Sequence, residues 1–231
     1  IYAWSIVEHE SQGRTMKVIT VASTKGGPGK STISQCLASG LDKIRGNSVL
    51  LLDADPQASS IEWYELRESE RPYTLEVQPG QDRAILDEAK KDGFTHVVID
   101  TSPSQSILAV EMMRVSDLVV FVSNPQTRVL MATDKFRAQY LEAGTPPAIG
   151  VMNLSRSAGS TKVRDAYDSL ADEIPEIRFL PDVVRHYQIH DDLAGYGTTV
   201  MDETFPPSAK SENNAKTDIE QMIRSIKKEL K

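Results

Sequence analysis

The sequence predicts an α/β domain in which a doubly wound, mostly parallel sheet carries helices on both faces. Its apolar runs are short and continuous rather than alternating, which is typical of strands that are covered on both sides. These runs alternate along the chain with segments of helical periodicity, as in successive strand–helix units. With 231 residues, of which 39% are hydrophobic, the chain has enough apolar material for the core of one such domain.

The predicted elements follow one another in regular order. Apolar runs predict strands at 17–23, 49–53, 74–77, 96–100, 118–122, 149–152 and 177–180. Helical patterns occupy 31–44, 81–91, 128–142, 161–172 and 215–231. Ligands of such sheets bind outside the carboxyl ends of the strands, and every chemical motif considered below follows a predicted strand.

Charge and composition exclude several classes of protein. The net charge of −7 excludes a globally basic nucleic-acid binder, but not a local basic patch, because only charges that touch phosphate matter. The single cysteine, Cys36, excludes a disulfide framework, a cysteine zinc site and a self-contained iron–sulfur cluster, and it favours a reducing, cytosolic setting. No apolar run approaches the roughly 18 residues that a membrane-spanning helix needs.

We expect a single domain over residues 16–231. The preceding segment, 1–15, has neither the basic leader nor the small-residue cleavage site of a signal peptide. It is either a genuine N-terminal extension or a stretch that is translated from upstream of the gene's start or foreign to the natural protein, since Met16 directly precedes the first predicted strand.

A glycine-rich segment, TKGGPGKST, joins the first predicted strand to the first predicted helix. Glycines allow successive backbone N–H groups to converge on phosphate oxygens, and the helix N-terminus adds its positive dipole. Lys30 is placed to reach the β- and γ-phosphates of a nucleotide, and the Ser31 hydroxyl is placed to ligate Mg²⁺. The residues predicted to hold the nucleotide are Lys25, Gly26, Gly27, Pro28, Gly29, Lys30, Ser31 and Thr32.

The form KGGxGK[ST] resembles the deviant Walker A box of the ParA/MinD family of ATPases, a variant of the P-loop. Thr24 stands where the ordinary phosphate loop has its first glycine, and a second lysine, Lys25, follows it. The resemblance implies that Lys25 crosses a dimer interface to the nucleotide of the other subunit. A cation delivered in this way stabilises charge on the transferred phosphate. The alternative for Lys25 is an ordinary solvated lysine.

The second motif is DADPQ, at the end of the second predicted strand. It matches the first switch of the family. The resemblance implies that Asp55 orients the attacking water and contacts the Mg²⁺ shell, while Asp53 supports the site from the strand end. Carboxylates suit both tasks, although Asp and Pro also form plain turns.

The third motif is VVIDTSP over residues 97–103, which has the pattern of a Walker B strand. Asp100 is predicted to hold Mg²⁺ through water. The resemblance assigns the following residues to the second switch, where Ser102 replaces a proline of the family pattern D-x-P-P. The alternative for Asp100 is a cap for the next helix.

Two late motifs are assigned to the base by the resemblance. Asn153, at the end of a predicted strand, is expected to hydrogen-bond adenine. Pro181, in the sequence Leu180-Pro181-Asp182, is expected in a loop that lines the base after the last strand. Both residue types are also common in plain turns.

Basic residues near the end of the chain form a candidate surface for nonspecific DNA. The resemblance points to Arg185, and to Arg224, Lys227 and Lys228 on the last predicted helix. The alternative is a set of solvated helix charges. The apolar face of that helix predicts packing on the sheet, with membrane or DNA contact as the alternative.

Taken over residues 16–231, the resemblance is to the small ParA partition ATPases. It implies ATP/ADP and Mg²⁺ as cofactors, an ATP-dependent homodimer on nonspecific DNA, and slow basal hydrolysis stimulated by a cargo-bound ParB-like protein. The protein is then expected in the cytoplasm, associated with the nucleoid in its ATP state. A MinD-like membrane-positioning ATPase is the main alternative, which the lack of Trp or Phe on the last helix disfavours. A catalytically idle scaffold is the third.

Overall fold

The computed structural model describes residues 15–23, 27–102, 106–125, 133–155 and 161–230. Its strands are β1 (Lys17–Ala22), β2 (Val49–Ala54), β3 (Tyr73–Glu76), β4 (His96–Thr101), β5 (Leu118–Ser123), β6 (Ala148–Ser155) and β7 (Arg178–Arg185). Its helices are α1 (Lys30–Asp42), α2 (Ser59–Glu65), α3 (Asp82–Lys91), α4 (Ile107–Arg114), α5 (Thr133–Glu142), α6 (Thr161–Glu173), α7 (Ile189–Ala194) and α8 (Lys210–Glu229).

The seven strands of these residues form one sheet in the order β3-β2-β4-β1-β5-β6-β7, and every neighbouring pair is parallel. All residues of β2 and β5 are buried, as expected for strands that are covered on both faces. The predicted fold class is therefore confirmed.

Successive strand residues face opposite sides of the sheet and enter different parts of the core. Leu51 packs with α1 and α8 on one face, whereas Leu50 and Leu52 pack with α3 and α4 on the other. Farther along that second face, α5 and α6 cover Phe121 of β5. The apolar residues of α8 are buried against the sheet and α1, which confirms the packing predicted for the last helix.

The order of the strands brings the polar motifs together. In the register of β2 with β4, Asp53 lies opposite Asp100, and in the register of β1 with β4, Val21 also lies opposite Asp100. The phosphate loop follows β1. The carboxyl ends of β1, β2 and β4 therefore present the loop and both acidic motifs at one edge of the sheet.

The predicted end of the last strand is wrong. We expected Pro181 in a loop, but β7 continues through it to Arg185. A proline is tolerated here because β7 is an edge strand. The register of β7 with β6 also shifts between Gly150 and Met152, so a backbone N–H is not needed for the ladder at this point. The last helix also begins earlier than expected, at Lys210.

Among the described residues, no helix has both the length and the apolar character needed to cross a bilayer.

Candidate functional site

The turn before α1 depends on glycine backbone geometry. Gly29, the N-cap residue, adopts a left-handed conformation with φ 79°, which glycine reaches without steric cost, and its carbonyl accepts the N–H of Ile33 at 2.9 Å to begin the helix. Gly27 is left-handed too, with φ 98°. Ser31 and Thr32 lie in the first turn of α1 and are partly exposed. The first turn of a helix offers backbone N–H groups without intrahelical partners, which is the arrangement that the predicted phosphate site needs.

Part of the predicted phosphate loop lies outside the described residues. Thr24, Lys25 and Gly26 are in that part. The role of Lys25 at a second subunit therefore stays a prediction.

Asn153 lies against the phosphate loop. Its buried side-chain Nδ2 donates to the carbonyl of Pro28 at 2.7 Å, and a Cβ added to Gly29 would collide with the same amide. The next residue, Leu154, has φ 54°, a strained conformation for a branched side chain. Asn153 thus ties β6 to the loop, a contact that the sequence did not predict, while its contact with adenine stays a prediction.

Lys30 is buried between two of the predicted acids. Its Nζ lies 3.1 Å from Asp100 Oδ1 and 3.8 Å from Asp55 Oδ2, and its side chain is only 5% exposed. With Asp53, three carboxyl groups share this space with one ammonium. The lysine that sequence reasoning assigned to phosphates therefore sits at the point where both acidic motifs meet.

Asp53 acts as an anchor for the start of α2. Its Oδ1 accepts the N–H of Asp55 at 3.0 Å, and its Oδ2 accepts those of Ser60 at 2.7 Å and Ile61 at 3.0 Å. Burial raises the pKa of this carboxyl to about 6, with a further contribution from the charge of Asp100, although the three N–H groups act to lower it. This arrangement agrees with the supporting role expected for Asp53.

Asp100 is fully buried and held by two hydroxyl groups. Ser60 Oγ donates to Oδ2 at 2.9 Å, and Ser34 Oγ lies 3.2 Å from Oδ1 and 3.0 Å from the Lys30 carbonyl, so its one proton serves both acceptors. Sequence reasoning missed both serines. A signal for Ser34 was available, because it lies one helical turn after Lys30 and therefore on the same side of α1.

The donor set at this edge fits a magnesium ion. Asp55, Asp100 and Ser31 offer carboxylate and hydroxyl oxygens, the ligands that hard cations prefer. The excess of carboxyl groups over the Lys30 ammonium also favours a cation. No group of three His, Cys, Asp or Glu residues in the described part of the chain is arranged to hold a metal ion. In nucleotide sites Mg²⁺ is usually held by one or two carboxylates together with phosphates and water.

The predicted DNA residues differ in their surroundings. The guanidinium of Arg185 donates to Asp218 from Nε at 2.9 Å and from Nη2 at 2.7 Å, and these hydrogen bonds raise the pKa of Arg185. In contrast, Arg224, Lys227 and Lys228 are exposed along α8. Three of the four side chains are therefore exposed on one helix, whereas Arg185 forms an ion pair with a buried carboxylate.

The chain resembles known proteins in sequence profile and in fold. The profile of the CobQ/CobB/MinD/ParA nucleotide binding domain matches residues 19–231. A search of curated proteins gives no match. 

Solved structures with the same fold include MinD from Aquifex aeolicus, with 17% identity and TM-score 0.66 over 91% of this chain and 96% of that chain. An ATP complex of a McdA variant from Cyanothece has 15% identity and TM-score 0.66 over 93% and 97% of the two chains. A plasmid partition protein from Borrelia burgdorferi has 16% identity and TM-score 0.60 over 92% and 100%. At these identities the likeness establishes the fold.

The profile match covers most of the chain, and the phosphate loop and both acidic motifs meet at the edge of the sheet where ligands of this fold bind. The chain therefore belongs to the CobQ/CobB/MinD/ParA family of nucleotide-binding domains.

Proposed function

We propose that this protein is a ParA-like partition ATPase. On this proposal it binds ATP and Mg²⁺, dimerises on nonspecific DNA, and releases the DNA after hydrolysis that a cargo-bound, ParB-like partner stimulates. The observation that carries the proposal is the meeting of Lys30, Asp55 and Asp100 beside the phosphate loop.

Each residue of this meeting point has a proposed role. Lys30 exchanges its carboxylate partners for the β- and γ-phosphates when nucleotide binds. Asp55, which lies in the loop after β2, orients the attacking water. Ser31, Asp55 and Asp100 would hold Mg²⁺, Asp100 through water. The ion would neutralise charge on the phosphates.

Dimerisation is proposed on the face that carries the site. Lys25 then completes the site of the other subunit. A cavity of 550 Å³ beside Asp55 is lined by Pro56, Val77 and Ile107 among others, and Ile107 is 75% exposed at its rim. A second subunit on this face would bury the exposed Ile107 side chain.

DNA binding is proposed for the exposed charges of α8. Arg224, Lys227 and Lys228 would contact phosphates without reading sequence, and a dimer would present six such charges. Arg185 is a weaker candidate for the same surface, because Asp218 already occupies its guanidinium.

The test is binding to random-sequence duplex DNA over a salt series, with ADP and with a nonhydrolysable ATP analogue, while light scattering reports size. We expect a dimer and salt-sensitive binding only with the analogue. The triple variant Arg224→Ala, Lys227→Ala, Lys228→Ala should dimerise normally and reduce the slope of log K against log salt by several units. Lys90→Ala with Lys91→Ala, on exposed positions of α3, is the control.

A dimer without DNA affinity would contradict the partition role, and the absence of a dimer would contradict the role of Lys25. Likeness to MinD makes a membrane-positioning ATPase the second candidate. The apolar side chains Ile219, Met222, Ile223 and Ile226 of α8 are buried in the core, so they would have to leave it before the helix could insert into lipid. Sedimentation with anionic liposomes and ATP separates the two functions.

A further inference from the structure

Ser60 lies where β2, β4, α1 and α2 meet. It is the second residue of α2 and is fully buried. Its backbone N–H donates to Asp53 Oδ2 at 2.7 Å, and its hydroxyl donates to Asp100 Oδ2 at 2.9 Å. One residue therefore joins the acid at the end of β2 to the acid in β4. A buried hydroxyl is retained at low cost only when it is paired in this way.

The position of Ser60 depends on the loop that carries Asp55. The N-cap of α2 is Ala58, with φ 52°, and it offers no side-chain cap. The caps come instead from Asp53, which accepts the N–H groups of Ser60 and Ile61. Asp53 also accepts the N–H of Asp55, so the Asp55 loop and the residue that carries the Ser60 hydroxyl are held by one carboxylate.

The carboxylate of Asp100 is oriented by partners from two different elements. Its Oδ1 faces α1, where Lys30 Nζ lies at 3.1 Å and Ser34 Oγ at 3.2 Å. Its Oδ2 faces α2 and accepts from Ser60. Ser34 belongs to the helix that follows the phosphate loop, whereas Ser60 belongs to the helix that follows the Asp55 loop. Partners of this kind fix the direction in which a metal-binding carboxylate presents its oxygens.

We propose that Ser60 is a positioning residue that couples the Asp55 loop to the orientation of Asp100, and thereby to Mg²⁺-dependent nucleotide binding and hydrolysis. It acts through Asp100 and does not itself touch nucleotide. The inference rests on the proposed ATPase function. In this proposal the Ser60 hydroxyl is the contact through which the Asp55 loop influences the orientation of the Asp100 carboxylate.

The test compares Ser60→Ala with Ser39→Ala. Ser39 is also a buried serine, its Oγ has no hydrogen-bond partner among the described residues, and it lies toward the far end of α1. The first readout is the Mg²⁺ concentration at half-maximal binding of a fluorescent nonhydrolysable ATP analogue. We expect it to rise about 10-fold in Ser60→Ala and to change less than about twofold in Ser39→Ala.

The second readout is steady-state ATP hydrolysis at saturating Mg²⁺. Ser60→Ala should lower kcat about 10-fold and leave KM for ATP within about twofold, because the residue acts on the acid rather than on the nucleotide. Ser60→Thr, which keeps the hydroxyl, should recover most of the loss. A residue that only stabilised α2 would shift the unfolding midpoint without moving the Mg²⁺ dependence.

The outcomes are distinct. If the parent protein hydrolyses ATP with Mg²⁺ and Ser60→Ala matches it in both readouts, the inference is overturned and the proposed function stands. If the parent neither binds nor hydrolyses ATP, both fail. Should Ser60→Ala not fold, Ser60→Cys carries the test, since a thiol is a weak donor. A Mg²⁺ midpoint in Ser60→Cys equal to that of the parent would also overturn the inference.

Discussion

The two ends of α1 bury charge in opposite ways. At its N-terminus the single ammonium of Lys30 faces the carboxyl groups of Asp55 and Asp100, at 3.8 and 3.1 Å, with Asp53 close behind. At its C-terminus a second cluster is built around the guanidinium of Arg67. The first, the Lys30 cluster, has more negative groups than positive ones. In the second, the Arg67 cluster, the two cations Arg67 and Lys43 share the single carboxylate of Asp202.

The Arg67 cluster uses every donor of the side chain's outer edge. Nη1 and Nη2 each lie 3.2 Å from an oxygen of Asp202, Nη1 also donates to the Gly197 carbonyl at 2.7 Å, and Nη2 to the Arg71 carbonyl at 2.7 Å. The guanidinium lies over the Trp63 ring, 4.4 Å from its centroid. Burial acts to raise the pKa of Asp202, but the hydrogen bonds and charge of Arg67 hold it below its ordinary value.

The two clusters also differ in the kind of cation at their centre. Arginine fixes a bidentate geometry and holds several segments in place, while lysine is a single point charge that can change partners. The Arg67 cluster joins α1, α2 and the loop before α8. The Lys30 cluster lies beside the phosphate loop, where the proposed function has Lys30 exchange its carboxylate partners for phosphates. An excess of carboxyl groups around a cation that can change partners is the feature that this proposal assigns to a nucleotide site.

The largest effect is expected for Lys30→Ala. Removing the ammonium should weaken ATP binding about 1,000-fold, or about 4 kcal/mol, because charge-assisted contacts to phosphate are lost. Titration with a fluorescent ATP analogue measures this loss. Lys43→Ala, at the other end of α1, should bind as the parent does. Equal ATP affinity of Lys30→Ala and the parent would contradict a nucleotide-binding role for the Lys30 cluster.

Arg67→Met should lower the free energy of unfolding by about 3 kcal/mol, because Asp202 would stay buried without its main partner. Methionine keeps an apolar stem over Trp63. Urea unfolding measures the loss, and ATP affinity at a temperature where the variant is folded should stay within about twofold of the parent. A variant that is as stable as the parent but binds ATP poorly would reverse the roles of the two clusters.

A smaller effect is expected from pH. Because the pKa of Asp202 is lower in the folded protein than in the unfolded chain, its contribution to stability is full above the unfolded pKa. It is lost as the pH falls through the folded pKa. We therefore expect Asp202→Asn to lose stability less steeply than the parent when urea unfolding is repeated from about pH 5 down to about pH 3. Parallel pH dependences would show that Arg67 does not perturb this carboxyl group.

The smallest effect is expected for Lys43→Ala in the Arg67 cluster. Lys43 Nζ lies 3.8 Å from Asp202 Oδ1, and the side chain is 48% exposed. Such a pair contributes less than about 0.5 kcal/mol, and high salt should remove even that. Urea unfolding at low and high salt measures it. A loss comparable to that of Arg67→Met would mean that the cluster depends on total charge rather than on bidentate geometry.

Sequence reasoning was strongest where a pattern is local. The runs at Val49 and Leu118 predicted strands because continuous burial leaves a mark in consecutive residues. The phosphate loop was predicted because its residues act together within one turn. These local signals allowed the fold class to be predicted, together with the candidate site residues at the carboxyl ends of β1, β2 and β4.

Contacts between distant residues could not be predicted in the same way. Ser60 meets Asp100 only because β2 and β4 pair in one register, and Arg185 is held by Asp218 from another helix. Arg67 belongs to no motif, so its cluster left no local signal. The error at Pro181 has a related cause, since whether a strand tolerates proline depends on its position at the edge of the sheet.

The contact between α1 and α8 has a consequence for signalling. Gly40 of α1 lies so close to Ile223 of α8 that an added Cβ would collide with that side chain. The helix that begins at the phosphate loop and the helix that carries Arg224, Lys227 and Lys228 therefore pack as one unit. On the proposed function, nucleotide need not reshape the DNA-facing surface within a subunit. Nucleotide instead controls dimerisation. A dimer presents two weak DNA-binding surfaces, and their combined avidity for DNA exceeds the affinity of either surface alone.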